Sequence, residues 1–447
     1  MTDSKLVIVG GGFAGVTLAR VAERVLPNNV RIVLLSEENF LLFSPLLSEV
    51  VGASILPPHC VAPIRQLLSR TEFRRVRVEA IDLANSEVCY GPGGDMRERY
   101  TELVLACGVQ ASLDLVPGMA EFAYPLKTLG DALELRNRVL LQLERAEIER
   151  DPDRRRGLTT FAVVGGGSSG VEVAGALHDL LSAAAPRYPS VRRDDCRVTV
   201  IEMSDRLLGE FPQRLGDFAR RHMERRGILI ETAATVARVE SHAVLLERGD
   251  RIAAGTTVCT IGNVPRDLVS GLALADRKGF IQVGADLAVP GHPHVWALGD
   301  CARVPDGHGG RAPPTAQFAV REARHLAGNL RLRLRNEEPR PFAYRPRANL
   351  ATVGHRRAVA TLFGLRLHGF LAWLLWRAVY LAKLPTLVRR IQVFSEWTLQ
   401  LLFPRDISQF HYLPYRLADG TRFAGRSAAG ETEEQESSGR RRAAGSA

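Results

Sequence analysis

The sequence predicts an α/β fold: two domains with parallel sheets, one inserted into the other, followed by a helical carboxyl-terminal segment. Three observations predict it. Residues 6–20 run from an apolar stretch through a glycine triplet into a helical pattern. Residues 161–175 repeat that order. A third apolar run, Val295 to Leu298, ends in Gly299-Asp300 far along the chain.

The first unit opens with the strand Leu6-Val7-Ile8-Val9. Gly10, Gly12 and Gly15 then fit G-x-G-x-x-G, with Phe13 and Ala14 inside the triplet. A helical pattern covers Val16 to Val25, and a second strand covers Arg31 to Leu35. This is the length of a Rossmann-like βαβ unit. The first glycine allows a tight turn, the second lets the backbone approach a pyrophosphate, and the third lets the helix pack on the strand. The phosphates sit at the positive end of the helix. The second strand runs on into Ser36-Glu37, which makes Glu37 a candidate for holding ribose hydroxyls. A plain surface charge opening the Glu37-Glu38 turn is the other reading.

The second unit repeats the design with the strand Phe161–Val164, the triplet Gly165, Gly167 and Gly170, and Ser168 and Ser169 between them. Its next strand, Arg197–Ile201, ends in Glu202. A carboxylate there accepts the two hydroxyls of an adenosine ribose and repels a 2′-phosphate, which favours NADH over NADPH. Two such loops call for two dinucleotides, one resident and one visiting. Asp300, at a strand end far along the chain, suits the ribityl and pyrophosphate region of a flavin. Two halves of a flavin domain thus flank an inserted NAD domain. The limits read from the sequence are 1–120 and 266–345 for the FAD-binding halves and 121–265 for the NADH-binding insert. A membrane-anchoring region at 346–415 and a disordered Gly-, Ser-, Glu- and Arg-rich tail at 416–447 follow. The stretch D-P-D-R-R-R-G, residues 151–157, reads as a solvated linker.

The chain has 447 residues, 46% hydrophobic and 24% charged, an ordinary globular balance. Its net charge of +10 suits an anionic membrane surface, nucleic acid, or simply a solvated Arg-rich surface. There is no zinc-finger spacing and no helix-turn-helix signal, so neither a metal site nor a nucleic-acid partner is expected. Met1 to Lys5 lead straight into the first strand without a signal peptide, so secretion is not expected. Cys60, Cys89, Cys107, Cys196, Cys259 and Cys301 form no C-x-x-C pair and read as reduced, mostly buried thiols. Residues 362–382 are long enough to span a bilayer on length alone. Arg366, His368 and Arg377 argue against a plain span. Trp373, Trp376, Tyr380, Trp397 and the flanking Lys383, Arg389 and Arg390 favour a monotopic anchor lying in the headgroup region. The alternative is a buried helix capping the flavin domain. Either leaves room for a homodimer.

Taken in order, these residues resemble the two-dinucleotide-binding flavoproteins, and more closely the type II NADH dehydrogenases, the single-subunit NADH:quinone oxidoreductases. The resemblance rests on residues 42–47 (L-F-S-P-L-L), 100–108 (Y-T-E-L-V-L-A-C-G) and Pro125-Leu126-Lys127-Thr128. The run 170–175 (G-V-E-V-A-G), Phe211-Pro212, Ala297 to Asp300 and Pro314-Thr315-Ala316-Gln317 continue it. It implies FAD held permanently by the first loop and NADH admitted by the second, with Gly108 and Gly262 among the cofactor-binding residues. Glu172, expected in the first turn of the second unit's helix, would lie near the nicotinamide and the flavin and orient the hydride donor. A helix would begin at Ala316-Gln317 beneath the flavin's pyrimidine edge, its free N–H groups stabilising reduced flavin, with Gln317 lining a quinone site. Arg321 departs from the usual A-Q-x-x-x-Q, as do Cys259 to Gly262 and Pro346 to Asn349 from their usual patterns.

The implied activity is hydride transfer from NADH to FAD and then two electrons to a membrane quinone, without proton pumping, at the cytoplasmic face of the cell membrane. Three alternatives stay open. Arg321 supports a soluble acceptor. A sulfide:quinone oxidoreductase needs reactive cysteines, and Cys301 is the only cysteine next to the inferred flavin site. A redox-sensing flavoprotein would bind NADH with incidental turnover.

Overall fold

A computed structural model describes residues 4–346 and 348–409. Strand β1 (Lys5–Val9) is buried from Leu6 onward, as a strand covered on both faces by helices must be. Helix α1 (Phe13–Val25) carries the chain over to β2 (Arg31–Ser36), which pairs with β1 in parallel. Strands β3 (Glu72–Arg75) and β4 (Glu102–Leu105) add to the two sides of that pair.

The chain then leaves this sheet and builds another. Strand β5 (Ala123–Pro125) leads to α2 (Leu129–Ile148), which starts at Thr128 because Thr128 and Asp131 form a reciprocal capping box. Strand β6 (Thr160–Val164), helix α3 (Ser168–Ala184), β7 (Arg197–Ile201), α4 (Gln213–Arg225), β8 (Leu229–Glu231) and β9 (Thr256–Cys259) complete the second sheet, in the order β5-β9-β6-β7-β8, all parallel. The chain returns to the first sheet with β10 (Ala288–Val289) and β11 (His292–Ala297), giving β10-β11-β4-β1-β2-β3. Strand β11 lies parallel to β4, so its end is delivered beside the first glycine loop. Helix α5 (Ala316–Leu334) packs against α1.

The carboxyl-terminal part carries helices, as expected, but begins with a sheet that the sequence reading did not include. Strands β12 (Ala348–Gly354), β13 (Arg357–Leu362) and β14 (Leu365–Gly369) form an antiparallel sheet. Helices α6 (Phe370–Lys383) and α7 (Leu387–Leu399) follow. The apolar run at 362–382 therefore divides into the β13–β14 turn, a strand and a short helix. Gly364 (φ +86°) makes the turn and Gly369 (φ +82°) ends the strand, conformations that favour glycine. Among the described residues no helix is long and apolar enough to cross a membrane. Helix α6 buries Ala372, Trp373 and Trp376 in the same core as Val171 and Leu177 of α3, while Leu371 and Leu374 face outward.

The stretch at 151–157 is likewise not a linker but the helix Pro152–Leu158. Asp151 caps it, accepting from Asp153 N and Arg154 N, and proline takes its first position. The tail at 416–447, expected to be disordered, and residues 410–415 of the expected anchor lie outside the described residues.

Candidate active site

The two glycine loops are near copies in three dimensions. Gly10 and Gly165 have φ of +115° and +111°, and a Cβ on Gly10 would lie 2.2 Å from the Ala106 carbonyl oxygen. A Cβ on Gly15 would lie 1.9 Å from Gly10 O, and one on Gly170 1.8 Å from Gly165 O, so helix and loop touch through backbone alone. At Gly12 and Gly167 an added Cβ would meet nothing within 4 Å. These two residues cap α1 and α3 without a side-chain cap of their own, leaving the helix-end N–H groups around Phe13 and Ala14 to meet an anion; at the second loop Ser168 N already donates to Glu210 and the N–H groups around Ser169 face the same space. Open space before a backbone donor row is what a pyrophosphate requires, so the residues present fit two dinucleotides.

Each cradle has a carboxylate at the end of its second strand. Glu202 follows β7, and its oxygens accept from Gly166 N at 2.6 Å and Ser204 N at 2.8 Å. It is therefore held beside the loop. Glu37 follows β2 and is more loosely placed: it faces solvent and pairs with Arg266 at 3.0 Å.

Past β11 the chain makes a tight turn through Gly299, Asp300 and Cys301. Burial weakens the acidity of Asp300, and the neighbouring ammonium of Lys127 acts against that rise. Lys127 is itself enclosed, and burial lowers its pKa. From α5, Glu322 accepts from Gly299 N at 2.7 Å and is pushed up to about 7 by burial, Asp300 adding to the rise. A cavity of about 330 Å³ opens beside these groups, bounded by Val109, Asp300, Thr315, Phe318 and Glu322. Gly108 follows β4 and Gly262 lies beyond β9, against Ser112. Cys301 is not the only thiol here: Cys107 is close enough to act on it electrostatically, which corrects the expectation. Burial pushes Cys301 up to about 11 and Cys107 well above its ordinary value, so neither is a thiolate at neutral pH.

Glu172 is the fifth residue of α3 and so lies in its second turn, not its first, because the helix already begins at Ser168. Its Oε1 accepts from Thr352 N of β12 at 3.1 Å. Burial pushes the carboxyl up to about 8; the Thr352 N–H opposes this, and Glu49 adds to it. The Trp376 indole N–H lies close enough to act on the carboxyl but outside hydrogen-bonding geometry. A row of rings leads to this place from the first loop. Phe13 and Phe43 are 5.7 Å apart edge to face, Phe43 and Tyr380 6.0 Å, and Tyr380 and Trp376 4.6 Å.

Helix α5 begins at Ala316, capped by Thr315, whose hydroxyl accepts from Phe318 N. The Gln317 amide donates to the Tyr344 hydroxyl. One turn on, the Arg321 guanidinium stands over the Tyr344 ring at 5.3 Å, and its charge reaches Lys383 on α6. Lys383 Nζ lies 5.8 Å from the Tyr380 ring centre. The structure thus brings Gln317, Arg321 and α6 to one side of the molecule, and Glu172, Thr352 and the ring row to α6 as well. Sequence reasoning missed Tyr344, Thr352, Glu322 and the Lys127–Asp300 neighbourhood. Only Glu322 left a signal: an acid on the apolar face Phe318, Ala319, Ala323 and Leu326.

Two dinucleotide cradles on interleaved sheets, with a half-buried acid near the head of the inner one's helix, define a two-dinucleotide oxidoreductase. Residues 4–323 match the pyridine nucleotide-disulphide oxidoreductase family, and residues 347–406 match the NDH2 C-terminal domain. The type II NADH:quinone oxidoreductase Ndh of Mycobacterium tuberculosis is 32% identical over 421 residues, covering 90% of this chain and 89% of that one. The demethylphylloquinone reductase NdbB of a Synechocystis strain is 30% identical, covering 89% and 96%. The structure of NDH2 from Plasmodium falciparum in complex with NADH superposes with a TM-score of 0.85 at 19% identity, covering 91% of this chain and all of that one, a likeness of fold. The chain belongs to the type II NADH:quinone oxidoreductases.

Proposed function

We propose that this chain oxidises NADH at the second cradle and reduces a quinone at a membrane surface, with FAD resident in the first. The observation that carries the reading is the position of Glu172. It lies on the NADH-side helix, is bonded to the carboxyl-terminal sheet, and faces the end of the ring row that starts at the FAD-side loop. The three parts such a reaction needs meet there. The division of the chain at about residues 120, 265 and 345 is supported by where it passes between the two sheets.

FAD, when bound, supplies the two-electron chemistry that no side chain here offers. The protein's part is to bind, orient and shield. Gly12 and Gly167 leave room for phosphates, Glu202 accepts the ribose hydroxyls of the donor, and Asp300 with Lys127 holds the polar chain of the resident group. Glu172, mostly protonated at neutral pH given its burial, would present a proton or a hydrogen-bond donor to the bound dinucleotides. Gln317 and Tyr344 line the acceptor side, and the N–H groups at the start of α5 favour negative charge there.

Membrane attachment is supported by the outward side chains Leu371, Leu387, Val388, Ile391, Leu402 and Phe403, all exposed on or beside α6 and α7. Between these helices a groove of about 410 Å³ carries Arg356 and Arg377 among aromatic walls. Attachment at the cytoplasmic face puts the second cradle in contact with the NADH pool. A second reading, a soluble acceptor, is favoured by Arg321, which stands over the Tyr344 ring, and Lys383, near enough to feel its charge; two neighbouring cations suit an anion.

Anaerobic stopped-flow reduction by NADH and by NADPH, followed by reoxidation with a membrane quinone or ferricyanide, tests all of this. NADH should bleach the flavin much faster than NADPH, and quinone should restore it. Flavin absorbance indifferent to excess NADH rules the function out; recovery with ferricyanide alone selects the soluble acceptor.

A further inference from the structure

The two cradles differ in one respect. In the second, a carboxylate already sits on the phosphate-facing end of the helix. Ser168 N donates to Glu210 Oε1 at 3.0 Å, and the Ser168 hydroxyl donates to the same oxygen. Among the described residues the first cradle has no counterpart: no carboxylate meets Phe13 or Ala14.

Glu210 is presented by a built turn. Leu208 N donates to Gly166 O at 2.9 Å, which fastens the loop after β7 to the glycine loop itself. The Arg206 guanidinium donates to Gly209 O at 2.7 Å and to Phe211 O at 3.2 Å, gripping the backbone on either side of Glu210. Helix α4 begins just beyond. No cation pairs with Glu210 among the described residues, and the residue is exposed, so its side chain has solvent to swing into.

We infer that Glu210 is an internal competitor for the donor's phosphates, setting how tightly the second cradle holds its dinucleotide. The inference rests on reading this cradle as the NADH site. A pyrophosphate and a carboxylate compete for one helix-end N–H: both are anions, and even at an exposed site, where water screens the charges, their repulsion at a few ångströms favours a single occupant. Binding therefore breaks two hydrogen bonds of Glu210 and moves its charge outward. Leaving reverses the exchange, with Glu210 re-satisfying the donor that the phosphate gives up. The resident dinucleotide meets a bare helix end and stays; the visiting one meets an occupied end and leaves. Glu210 is also near enough to add to the rise in the pKa of Glu172, so its displacement alters the charge around that acid.

The test uses flavin-loaded protein and compares wild type with Glu210→Gln, which keeps the shape, and Glu210→Ala, which removes it. Dissociation constants are measured for NADH, ADP-ribose and adenosine. Both variants should bind NADH and ADP-ribose more tightly, the alanine variant by about tenfold, the size of one charge-assisted hydrogen bond. Adenosine, which has no phosphate, should bind as in wild type. The KM for NADH should fall, and kcat should fall or stay level, never rise. Unchanged or weakened ADP-ribose affinity overturns the inference, making Glu210 a helix cap or a ligand of the donor. Glu202→Ala separates this from the underlying reading. If it weakens adenosine and NADH while the Glu210 variants change nothing, the cradle stands and only the competitor falls. If Glu202→Ala is silent too, the cradle assignment itself is lost.

Discussion

Replacing Glu172 with glutamine should stabilise the protein in alkaline solution and hardly at all in acid. The fold holds the carboxyl at a pKa of about 8, against 4.5 for the free group. Because the folded-state value is the higher one, the favourable contribution is complete below pH 4.5 and is lost as pH rises through about 8. The difference of roughly 3.5 units corresponds to at most about 5 kcal/mol once the group is fully ionised. It is an upper bound, because the residue keeps some solvent contact at its edge. Glutamine carries no charge at any pH, and its carbonyl can still accept from Thr352 N. With an unfolding entropy of about 2 cal/mol/K per residue, such a change moves the thermal midpoint by about 5 °C. The assay is the thermal midpoint of the flavin-loaded protein, followed by tryptophan fluorescence at pH 5.5 and pH 9, for wild type and Glu172→Gln. The observable is the difference between the two pH values, which cancels any constant offset from the amide. Equal shifts at both pH values, or a lower midpoint for the variant at pH 9, would refute the burial argument.

Other expectations follow from the same coordinates. Gly15→Ala, with its methyl driven into Gly10 O, should yield protein lacking yellow colour. Gly170→Ala should stay yellow yet lose NADH bleaching at least tenfold, so absorbance spectra with and without NADH distinguish the two cradles. Glu202→Ala should narrow the preference for NADH over NADPH by about tenfold or more, read from the reduction rates with each donor. Lys127→Met leaves Asp300 without its counter-charge and should raise the pKa of that acid further, weakening flavin retention; flavin released on gel filtration of wild type and variant measures it. Vesicles with phosphatidylglycerol should retain the protein better than neutral vesicles, and Arg356→Gln should narrow that difference.

The cradles were legible in the sequence because their constraints are local. A positive φ at Gly10 and a helix packed against bare backbone at Gly15 leave glycine little competition, and strand, triplet and helix follow within a few residues. The carboxyl-terminal part was not legible for the opposite reason. An apolar run says that residues are buried or face lipid, but not whether they curl or extend. Gly364 and Gly369 carried the punctuation and were outweighed by the length of the run. The Asp151-Pro152 helix start was a cap signal passed over among charges. Thr352, Tyr344 and Glu210 could not be read at all, because each acquires its meaning only from a partner distant in sequence or across a loop.

One contact between helix α3 and strand β12 has practical weight. Gly175 of α3 and Gly354 of β12 lie backbone to backbone, with a Cβ on Gly175 falling 2.9 Å from Gly354 N. Nearby, Asp179 accepts from His355 N at 3.0 Å and pairs with Arg405 at 3.5 Å. The sheet and helices at residues 348–405 are thus stapled to α3, the helix we propose receives the donor. Trimming them away to obtain an easily purified, detergent-free enzyme would peel the backing from that helix and hydrate Glu172, so the shortened protein would be a poor stand-in for screening inhibitors.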